Sequence, residues 1–189
     1  MKIGIDVDDT ITNSYDLILD FVSKEYNKDK QEIIDSELSY DDMMNDPVNF
    51  PNYLDYSNRI LRDVVKDATI KENAVEIIKY LHELGHTIEI VTARHDEEYR
   101  DPYKFTETFL KKNNIYYDKI NCNVHNKGIF CRENNFDLLI DDSLKHCRFA
   151  REEGVKTILI DNVFNRKDQS FVRANDWLDV LEIVRTNKF

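Results

Sequence analysis

The hydrophobic and polar positions of the chain fall into short blocks that alternate between the spacing of strands and the spacing of helices. Compact apolar runs predict strands over residues 2–7, 86–92, 119–124, 136–140 and 155–160. Apolar residues three and four positions apart predict helices over residues 15–22, 30–44, 53–66, 73–84, 103–112, 127–134, 144–153 and 176–184. Strands that alternate with helices in this way predict an α/β fold with a mainly parallel sheet.

The stretch between the first two predicted strands differs in character from the rest of the chain. Residues 27–68 are polar, rich in Asp, Asn and Tyr, and contain Pro47 and Pro51 but no glycine. A connection of this length is far longer than an ordinary loop. We therefore expect residues 13–72 to form a small helical cap, inserted after the first strand, that closes over the sheet edge and excludes water. Residues 1–12 and 73–189 are expected to form the core domain.

Length and charge limit the classes of partner. With 189 residues, 41% of them hydrophobic, the chain can bury one sizeable core together with a small subdomain. A formal net charge of −11 argues against a nucleic-acid polymer or an anionic membrane as the main partner, because both carry charge of the same sign. A small phosphorylated substrate remains compatible, since it responds to the local field. No apolar run approaches the roughly 20 residues that a membrane span needs.

The N-terminus and the cysteines bear on the compartment. Acids interrupt the first apolar run too early for a signal peptide. Three cysteines, an odd number, indicate free thiols in a reducing compartment, so we expect a cytoplasmic protein. The cysteines and their neighbouring histidines lack the paired spacing of a structural zinc site, and Cys131 and Cys147 fall on predicted helices, where we expect them in the core. The oligomeric state stays open, with a homodimer as one option.

Two of the predicted strands run into acidic residues. Asp6, Asp8 and Asp9 lie within four positions of one another at the end of the first strand, and Asp141 and Asp142 directly follow the fourth. Burying like charges side by side is costly unless a cation or a proton relieves the repulsion. Because the carboxyl ends of parallel strands meet at one edge of a sheet, we expect these acids to share a cation there.

Four short motifs, in order, resemble those of the haloacid-dehalogenase-like (HAD) phosphohydrolases. D-V-D-D-T at 6–10 resembles the first motif of that family, D-x-D-x-T, and L-L-I-D-D-S at 138–143 resembles the acidic fourth motif. Thr92, which ends I-E-I-V-T, matches the second motif, and Lys127 suits the third. One branch of this family is particularly similar: the 5′(3′)-deoxyribonucleotidases and their bacterial relatives have stretches that resemble G-I-D-V-D-D-T-I-T and V-T-A-R. The resemblance implies a Rossmann-like core with a helical cap.

Two positions depart from the pattern of the resembled family. Asp9 stands where many members carry glycine, and His95 stands where relatives often place proline. These differences leave the reaction class intact and the substrate open.

The resemblance also implies a metal-assisted reaction. Asp6 would be the nucleophile that forms an aspartyl-phosphate, and Asp8 would be the general acid and base that protonates the leaving oxygen and then activates water. A Mg²⁺ ion would neutralise and orient the phosphoryl oxygens. Asp6, Asp8, Asp141 and Asp142 are the expected metal-binding residues, with Asp142 as the principal further carboxylate, Asp141 beside it, and Asp8 contributing its backbone carbonyl.

The phosphoryl group is expected to be bound by polar groups around the nucleophile: Thr92, Lys127, Arg94 and the backbone N–H groups near Asp9 and Thr10. Each has a plainer alternative. Thr92 could cap its strand, Asp9 could hydrogen-bond the following turn, and Arg94 could be a solvated surface residue. Lys145, on the helix after Asp142, competes with Lys127 for the role of the active-site lysine.

The substrate implied by the resemblance is a nucleoside monophosphate, whose base would stack on cap aromatics. The candidates are Tyr40, Phe50, Tyr53 and Tyr56, although packing within the cap is the alternative for any one of them. Trp177, on the closing helix, is expected to pack rather than act. Two other functions stay open: a phosphatase for another small metabolite such as a sugar phosphate, and a non-catalytic metal-binding module on the same fold. The intact set of motif residues argues against the latter.

Overall fold

A six-stranded sheet forms the centre of the computed structural model, which describes residues 1–36, 42–43 and 45–189, with the backbone alone at residues 56–60. The strands are β1 (Lys2–Ile5), β2 (Thr87–Val91), β3 (Lys119–Asn121), β4 (Leu138–Asp141), β5 (Lys156–Ile160) and β6 (Arg173–Ala174). Their spatial order is β3-β2-β1-β4-β5-β6 and every pairing is parallel, as the sequence predicted. The chain therefore switches sides of the sheet at β1, and ligands of open α/β sheets bind at such a switch point.

Helices cover the sheet and fill the connections between its strands. They are α1 (Ser14–Tyr26), α2 (Lys30–Ser36), α3 (Tyr53–Val65), α4 (Ala74–Glu83), α5 (Asp96–Tyr99), α6 (Pro102–Lys112), α7 (Lys127–Glu133), α8 (Leu144–Glu152) and α9 (Trp177–Thr186). The predicted helix over 30–44 begins as α2, while residues 37–41 and 44 lie outside the described part of the chain. The hydrophobic pattern did not predict α5 or β6. These elements have only four and two residues, which is too short to show the spacing of apolar residues typical of a helix or a strand.

The pleat of each strand places alternate residues on opposite faces of the sheet. Ile3 and Ile5 of β1 lie opposite Ile88 and Ile90 of β2, and these side chains are fully buried under α4, α6 and α9. Leu139 belongs to a second cluster on the other face, under α7 and α8. Both faces of a parallel sheet are thus shielded from water, which its apolar strands require.

The connection between β1 and β2 has a hydrophobic cluster of its own. Its buried members come from α1, α2, α3 and the nearby chain, and Tyr99 of α5 completes it. Where this segment leaves and rejoins the sheet, its two ends lie side by side: Thr12 and Ile70 form an antiparallel bridge, and the N–H of Asn13 donates to the carbonyl of Thr69 at 2.8 Å. The two ends are thereby tied together next to the β1 loop.

The structure confirms the predicted core packing of three residues. Cys131, Cys147 and Trp177 have no exposed surface. The Trp177 indole N–H also donates to the carbonyl of Thr10 at 3.2 Å, which attaches α9 to the loop that follows β1. In the described part of the chain, no helix combines the length and the apolar character needed to cross a bilayer.

Gly128 of α7 packs directly against the backbone of α8. A Cβ at this position would lie 2.2 Å from the carbonyl oxygen of Phe149 and 2.9 Å from the backbone nitrogen of Ala150. Hydrogen-bonded backbone atoms of a helix cannot move aside as a flexible side chain can. We expect Gly128→Ala to lower the free energy of unfolding by about 3 kcal/mol, the upper end for overpacking. Urea denaturation followed by circular dichroism measures this as a lower midpoint at unchanged slope.

Gly85→Asn is the matched control for that experiment. Gly85 has φ +89° and no atom within 4 Å of an added Cβ, and asparagine tolerates the left-handed region. Its substitution should cost far less than that of Gly128. Equal losses at the two glycines would show that chain entropy, and not the contact between α7 and α8, sets the cost.

Candidate active site

A cleft of about 670 Å³ opens at the carboxyl edge of the sheet, at the switch point beside β1. Its floor carries Asp6 after β1, Thr92 after β2, Asp142 after β4 and Asn162 after β5. Residues of α1 and α3, which belong to the connection between β1 and β2, also line this cleft. Residues more than a hundred positions apart in sequence thus share one site.

Three carboxylates and one lysine form the centre of the floor. Asp6, Asp141 and Asp142 are buried, and each offers an oxygen atom within 4.8 Å of the others. The Lys127 Nζ lies 2.6 Å from Oδ1 of Asp6 and 2.7 Å from Oδ2 of Asp141. One ammonium group against three acids leaves negative charge uncompensated at a buried place. An all-oxygen donor set with excess negative charge fits a hard divalent cation.

Burial governs the protonation of this cluster. Desolvation raises the pKa of Asp6 to about 7, although the Lys127 charge opposes the shift. Desolvation likewise raises the pKa of Asp142 well above its usual range, and the charge of Asp141 adds to it. Burial alone would lower the pKa of Lys127, but Asp141 and Asp6 outweigh it and raise that pKa. Without a metal the site is therefore short of positive charge even with Lys127 in place.

The position of Lys127 follows from the start of α7. Asn126 caps that helix by accepting the N–H of Ile129 at 3.0 Å, which makes Lys127 its first residue. The lysine is 1% exposed and contacts both Asp6 and Asp141. Its rival, Lys145, is an exposed residue of the cleft wall. Of the two lysines, Lys127 is the one that the fold brings to the acids.

Asp8 and Arg94 form a pair beside the acidic cluster. The Arg94 guanidinium donates to both Asp8 carboxylate oxygens at 2.8 and 2.7 Å, and its third contact is the Thr106 hydroxyl at 3.2 Å. Arg94 is only 3% exposed and lies over the rings of Tyr99 and α6, so the solvated alternative is wrong. The Asp8 carboxylate stands outside the group of three acids and is 30% exposed.

The loop after β1 holds Asp9 in a left-handed conformation, with φ 56°. Its N–H donates to the hydroxyls of Thr12 and Ser14, and its carboxylate accepts the N–H of Tyr15 at 3.1 Å. Burial raises the pKa of Asp9 to about 6, and Lys71, 3.9 Å away, opposes that shift. Asp9 thus makes the turn contacts that the sequence left as its alternative role, and its N–H is engaged within the loop.

The hydroxyls of Thr10 and Thr92 are both turned to neighbouring backbone or acid groups. Thr10 Oγ1 donates to Oδ1 of Asp142 at 3.1 Å and accepts the N–H of Asp142 at 3.0 Å. Thr92 is 1% exposed, lines the cleft and accepts the N–H of Arg94 at 3.2 Å. The structure therefore places Thr10 as a direct support of Asp142, and Thr92 at the end of β2 on the wall of the site.

Sequence reasoning missed the loop after β5. Asn162 Nδ2 donates to Oδ2 of Asp142 at 2.8 Å, and Asn165 Nδ2 donates to the Asp142 carbonyl at 2.8 Å. Neither asparagine belongs to a recognised motif. The signal that could have found them is positional, because residues after the carboxyl end of any strand in this sheet approach the same edge.

The aromatic lining of the cleft also differs from the predicted set. Phe50 and Tyr53 are each 2% exposed and pack inside the cluster of the insertion, which confirms the packing alternative for both. Tyr40 and the side chain of Tyr56 lie outside the described residues. Among the described residues, the tyrosine and phenylalanine side chains that line the cleft are Tyr15, Tyr99 and Phe164, and the rings of Tyr15 and Phe164 meet edge to face at 5.3 Å.

The zinc alternative finds no support in the described residues. There the one group of three or more side chains close enough to hold a metal is Asp6, Asp141 and Asp142, and it contains no cysteine or histidine. The cysteines are free thiols.

Comparison with known proteins agrees with this architecture. Over residues 1–189 the chain matches the profile of a family described as 5′ nucleotidase, deoxy (pyrimidine), cytosolic type C protein (NT5C). The nucleotidase CA_C3379 of Clostridium acetobutylicum is 27% identical, across 97% of this chain and 93% of that protein. YqfW of Bacillus subtilis, a protein assigned as a nucleotidase, is 25% identical across 100% of this chain and 95% of its own length.

Solved structures show the same fold at low identity. The haloacid dehalogenase-like hydrolase SP0104 of Streptococcus pneumoniae superposes with a TM-score of 0.60 at 16% identity, over 97% of each chain. YfnB of Bacillus subtilis, assigned to the HAD hydrolases and solved bound to magnesium, gives 0.63 at 14% identity, over 97% of this chain and 98% of that one. The match over the full length of the chain leads to one conclusion: the protein, which shares its fold with HAD hydrolases, belongs to the NT5C family of 5′-nucleotidases and is a phosphohydrolase.

Proposed function

We propose that the protein hydrolyses the phosphate ester of a nucleoside monophosphate in a Mg²⁺-dependent reaction through an aspartyl-phosphate. The observation that carries the proposal is the convergence of Asp6, Asp141 and Asp142 within 4.8 Å of one another, with Lys127 bound to two of them. When bound by these acids and the Asp8 carbonyl, Mg²⁺ would neutralise and orient the phosphoryl oxygens. The insertion over residues 13–72 would act as the cap that closes the cleft.

Asp6 carries the first chemical step. One of its carboxylate oxygens attacks phosphorus, the bond from phosphorus to the ester oxygen breaks, and the nucleoside leaves as an alcohol after Asp8 gives that oxygen a proton. Lys127 binds Oδ1 of Asp6 and thereby holds the nucleophile in place while it balances the charge of the phosphoryl group. Thr92, at the end of β2, supplies a hydroxyl for a phosphoryl oxygen.

Asp8 carries the second step. It takes a proton from a water molecule that attacks the phosphorus of the aspartyl-phosphate, which releases inorganic phosphate and restores Asp6. The two-pronged bond from Arg94 fixes the orientation of the Asp8 carboxylate for both proton transfers.

The shape of the cleft supports a nucleoside as the leaving group. Its volume of about 670 Å³ lies within the range of small-molecule sites, and the ring pair of Tyr15 and Phe164 offers an apolar surface to a base. The family name and the names of the relatives point to the same class of substrate.

The test is release of inorganic phosphate from a panel of ribo- and deoxyribonucleoside 5′- and 3′-monophosphates and of sugar phosphates. With Mg²⁺ present, we expect kcat/KM for at least one nucleoside monophosphate to exceed that for every sugar phosphate by about tenfold or more. Removing the metal with EDTA should abolish turnover, and added Mg²⁺ should restore it. A preference for sugar phosphates would overturn the substrate, and full activity in EDTA would overturn the role of the metal.

A further inference from the structure

The loop that follows β5 grips the acid at the end of β4. Asp142 has a hydrogen-bond donor on each carboxylate oxygen: Thr10 Oγ1 on Oδ1 at 3.1 Å and Asn162 Nδ2 on Oδ2 at 2.8 Å. Asn162 is 7% exposed and Asp142 4%. A carboxylate bound at both oxygens cannot rotate about its Cβ–Cγ bond without losing one of these contacts. The plane of the Asp142 carboxylate is therefore fixed by side chains from two different loops.

The loop that provides Asn162 is itself anchored at several points. Asn165 Nδ2 donates to the carbonyls of Asp142 and Ile160 at 2.8 and 2.7 Å, while its Oδ1 accepts the N–H of Asn162 at 3.2 Å and a guanidinium N–H of Arg173 at 2.6 Å. These contacts bind the loop to β4, β5 and β6 at once. Asn162 thus reaches Asp142 from a rigid support.

The hydrogen-bond donors to the Asp142 carboxylate differ in charge from those to Asp6 and Asp141. Asp6 and Asp141 each accept a bond from the charged Lys127, whereas the donors to the Asp142 carboxylate are a hydroxyl and an amide, both neutral. A neutral donor orients a carboxylate without cancelling its charge. In the contacts described, the Asp142 carboxylate therefore has no cationic group bound to it, and its two oxygens are held in a fixed orientation in which a cation can bind.

We infer that Asn162 is a positioning residue for the metal, which sets Mg²⁺ affinity by orienting Asp142. This inference rests on the proposed function, because it takes Asp142 as a metal ligand. Residues that orient a ligand from behind change metal affinity by about 10–100-fold when they are removed. Asn162 touches neither the phosphate nor the nucleophile in this assignment, so its effect is on binding of the ion and not on the chemical step.

The experiment measures Mg²⁺ binding directly, by calorimetric titration of MgCl₂ into the metal-free protein. We expect Asn162→Ala to raise the Kd for Mg²⁺ about 10–100-fold, and the Mg²⁺ concentration for half-maximal hydrolysis by the same factor. At saturating Mg²⁺, kcat should stay within a few-fold of the native value. Asn162→Ser, with a hydroxyl too short to reach Oδ2 of Asp142, should weaken binding in the same direction and serves if the alanine variant does not fold.

Arg166→Ala is the matched control, because Arg166 lies in the same loop with its side chain 62% exposed and pairs only with Asp161 in the contacts described. Its Kd for Mg²⁺ should equal that of the native protein. Native affinity in a folded Asn162 variant would overturn the inference even if hydrolysis proceeds as proposed. If the native protein binds Mg²⁺ and the Asn162 variants bind it more weakly, but no monophosphate is hydrolysed, the inference stands and the proposed function fails.

Discussion

Replacing Asp6 with asparagine is expected to lower the turnover of nucleoside monophosphates by at least about a thousandfold. The amide has nearly the shape of the carboxylate, so Lys127 keeps a partner where it now binds Oδ1 of Asp6 at 2.6 Å. What is lost is the charged oxygen that attacks phosphorus. Because the proposed mechanism has no second nucleophile, the loss should fall on kcat. Measurement of phosphate release at saturating substrate and Mg²⁺ checks this.

The same variant separates a chemical defect from a folding defect. The folded-state pKa of Asp6, about 7, lies above its usual 3.8, so the folded metal-free protein holds this proton more tightly than the unfolded chain does. The contribution of Asp6 to the free energy of unfolding is therefore largest at low pH and is lost as the pH rises through about 7. Asparagine does not titrate, so the Asp6→Asn variant does not lose stability in this pH range through this residue. At pH 8 without metal, the variant should unfold at no lower urea concentration than the native protein.

Asp16→Asn provides the matched control, since Asp16 is 79% exposed on the first turn of α1. It should leave turnover within twofold of the native value. An Asp6→Asn enzyme that keeps more than a tenth of native turnover would rule out Asp6 as the nucleophile, whatever its stability.

The acids of the site were predictable because their placement follows from the fold class alone. Once β1 and β4 are recognised as parallel strands, Asp6 and Asp142 must approach the same edge, and a single sequence suffices to say so. The pairing of Arg94 with Asp8 was not predictable in this way. It depends on α6, which places the Thr106 hydroxyl and the aromatic rings around the guanidinium, and no local pattern encodes that packing.

The aromatic residues illustrate a second limit of prediction from the sequence. Phe50 and Tyr53 lie in the hydrophobic cluster of the connection between β1 and β2, whereas Tyr15 and Phe164 line the cleft. No local sequence pattern distinguishes the first pair from the second. An aromatic face serves a nucleobase and a hydrophobic core equally well. Only the three-dimensional path of the chain decides which rings reach the substrate.

Replacing Lys127 with methionine should have the largest effect on stability. Methionine has a similar length but no charge, so Asp6 and Asp141 would lose the ammonium group that lies within 2.7 Å of both. Removing one partner of a buried ion pair costs about 3–5 kcal/mol, since it leaves uncompensated buried charge. Turnover should also fall at least about a hundredfold, because nothing then balances the charge of the phosphoryl group near Asp6.

The loss of stability caused by Lys127→Met should be larger at high pH than at low pH. Lys127 lowers the pKa of Asp6, which is about 7 with the lysine present, so the variant raises it further. Above that raised pKa the folded variant bears the full cost of the bare carboxylate, whereas below about pH 7 a proton replaces the missing cation. Urea denaturation of the metal-free proteins should therefore show a larger difference from native at pH 9 than at pH 5. Lys145→Met, at the exposed lysine of the cleft wall, should change stability by less than about 0.5 kcal/mol at both values. A loss for Lys127→Met that is equal at pH 5 and pH 9 would mean that the lysine contributes by packing and not by charge.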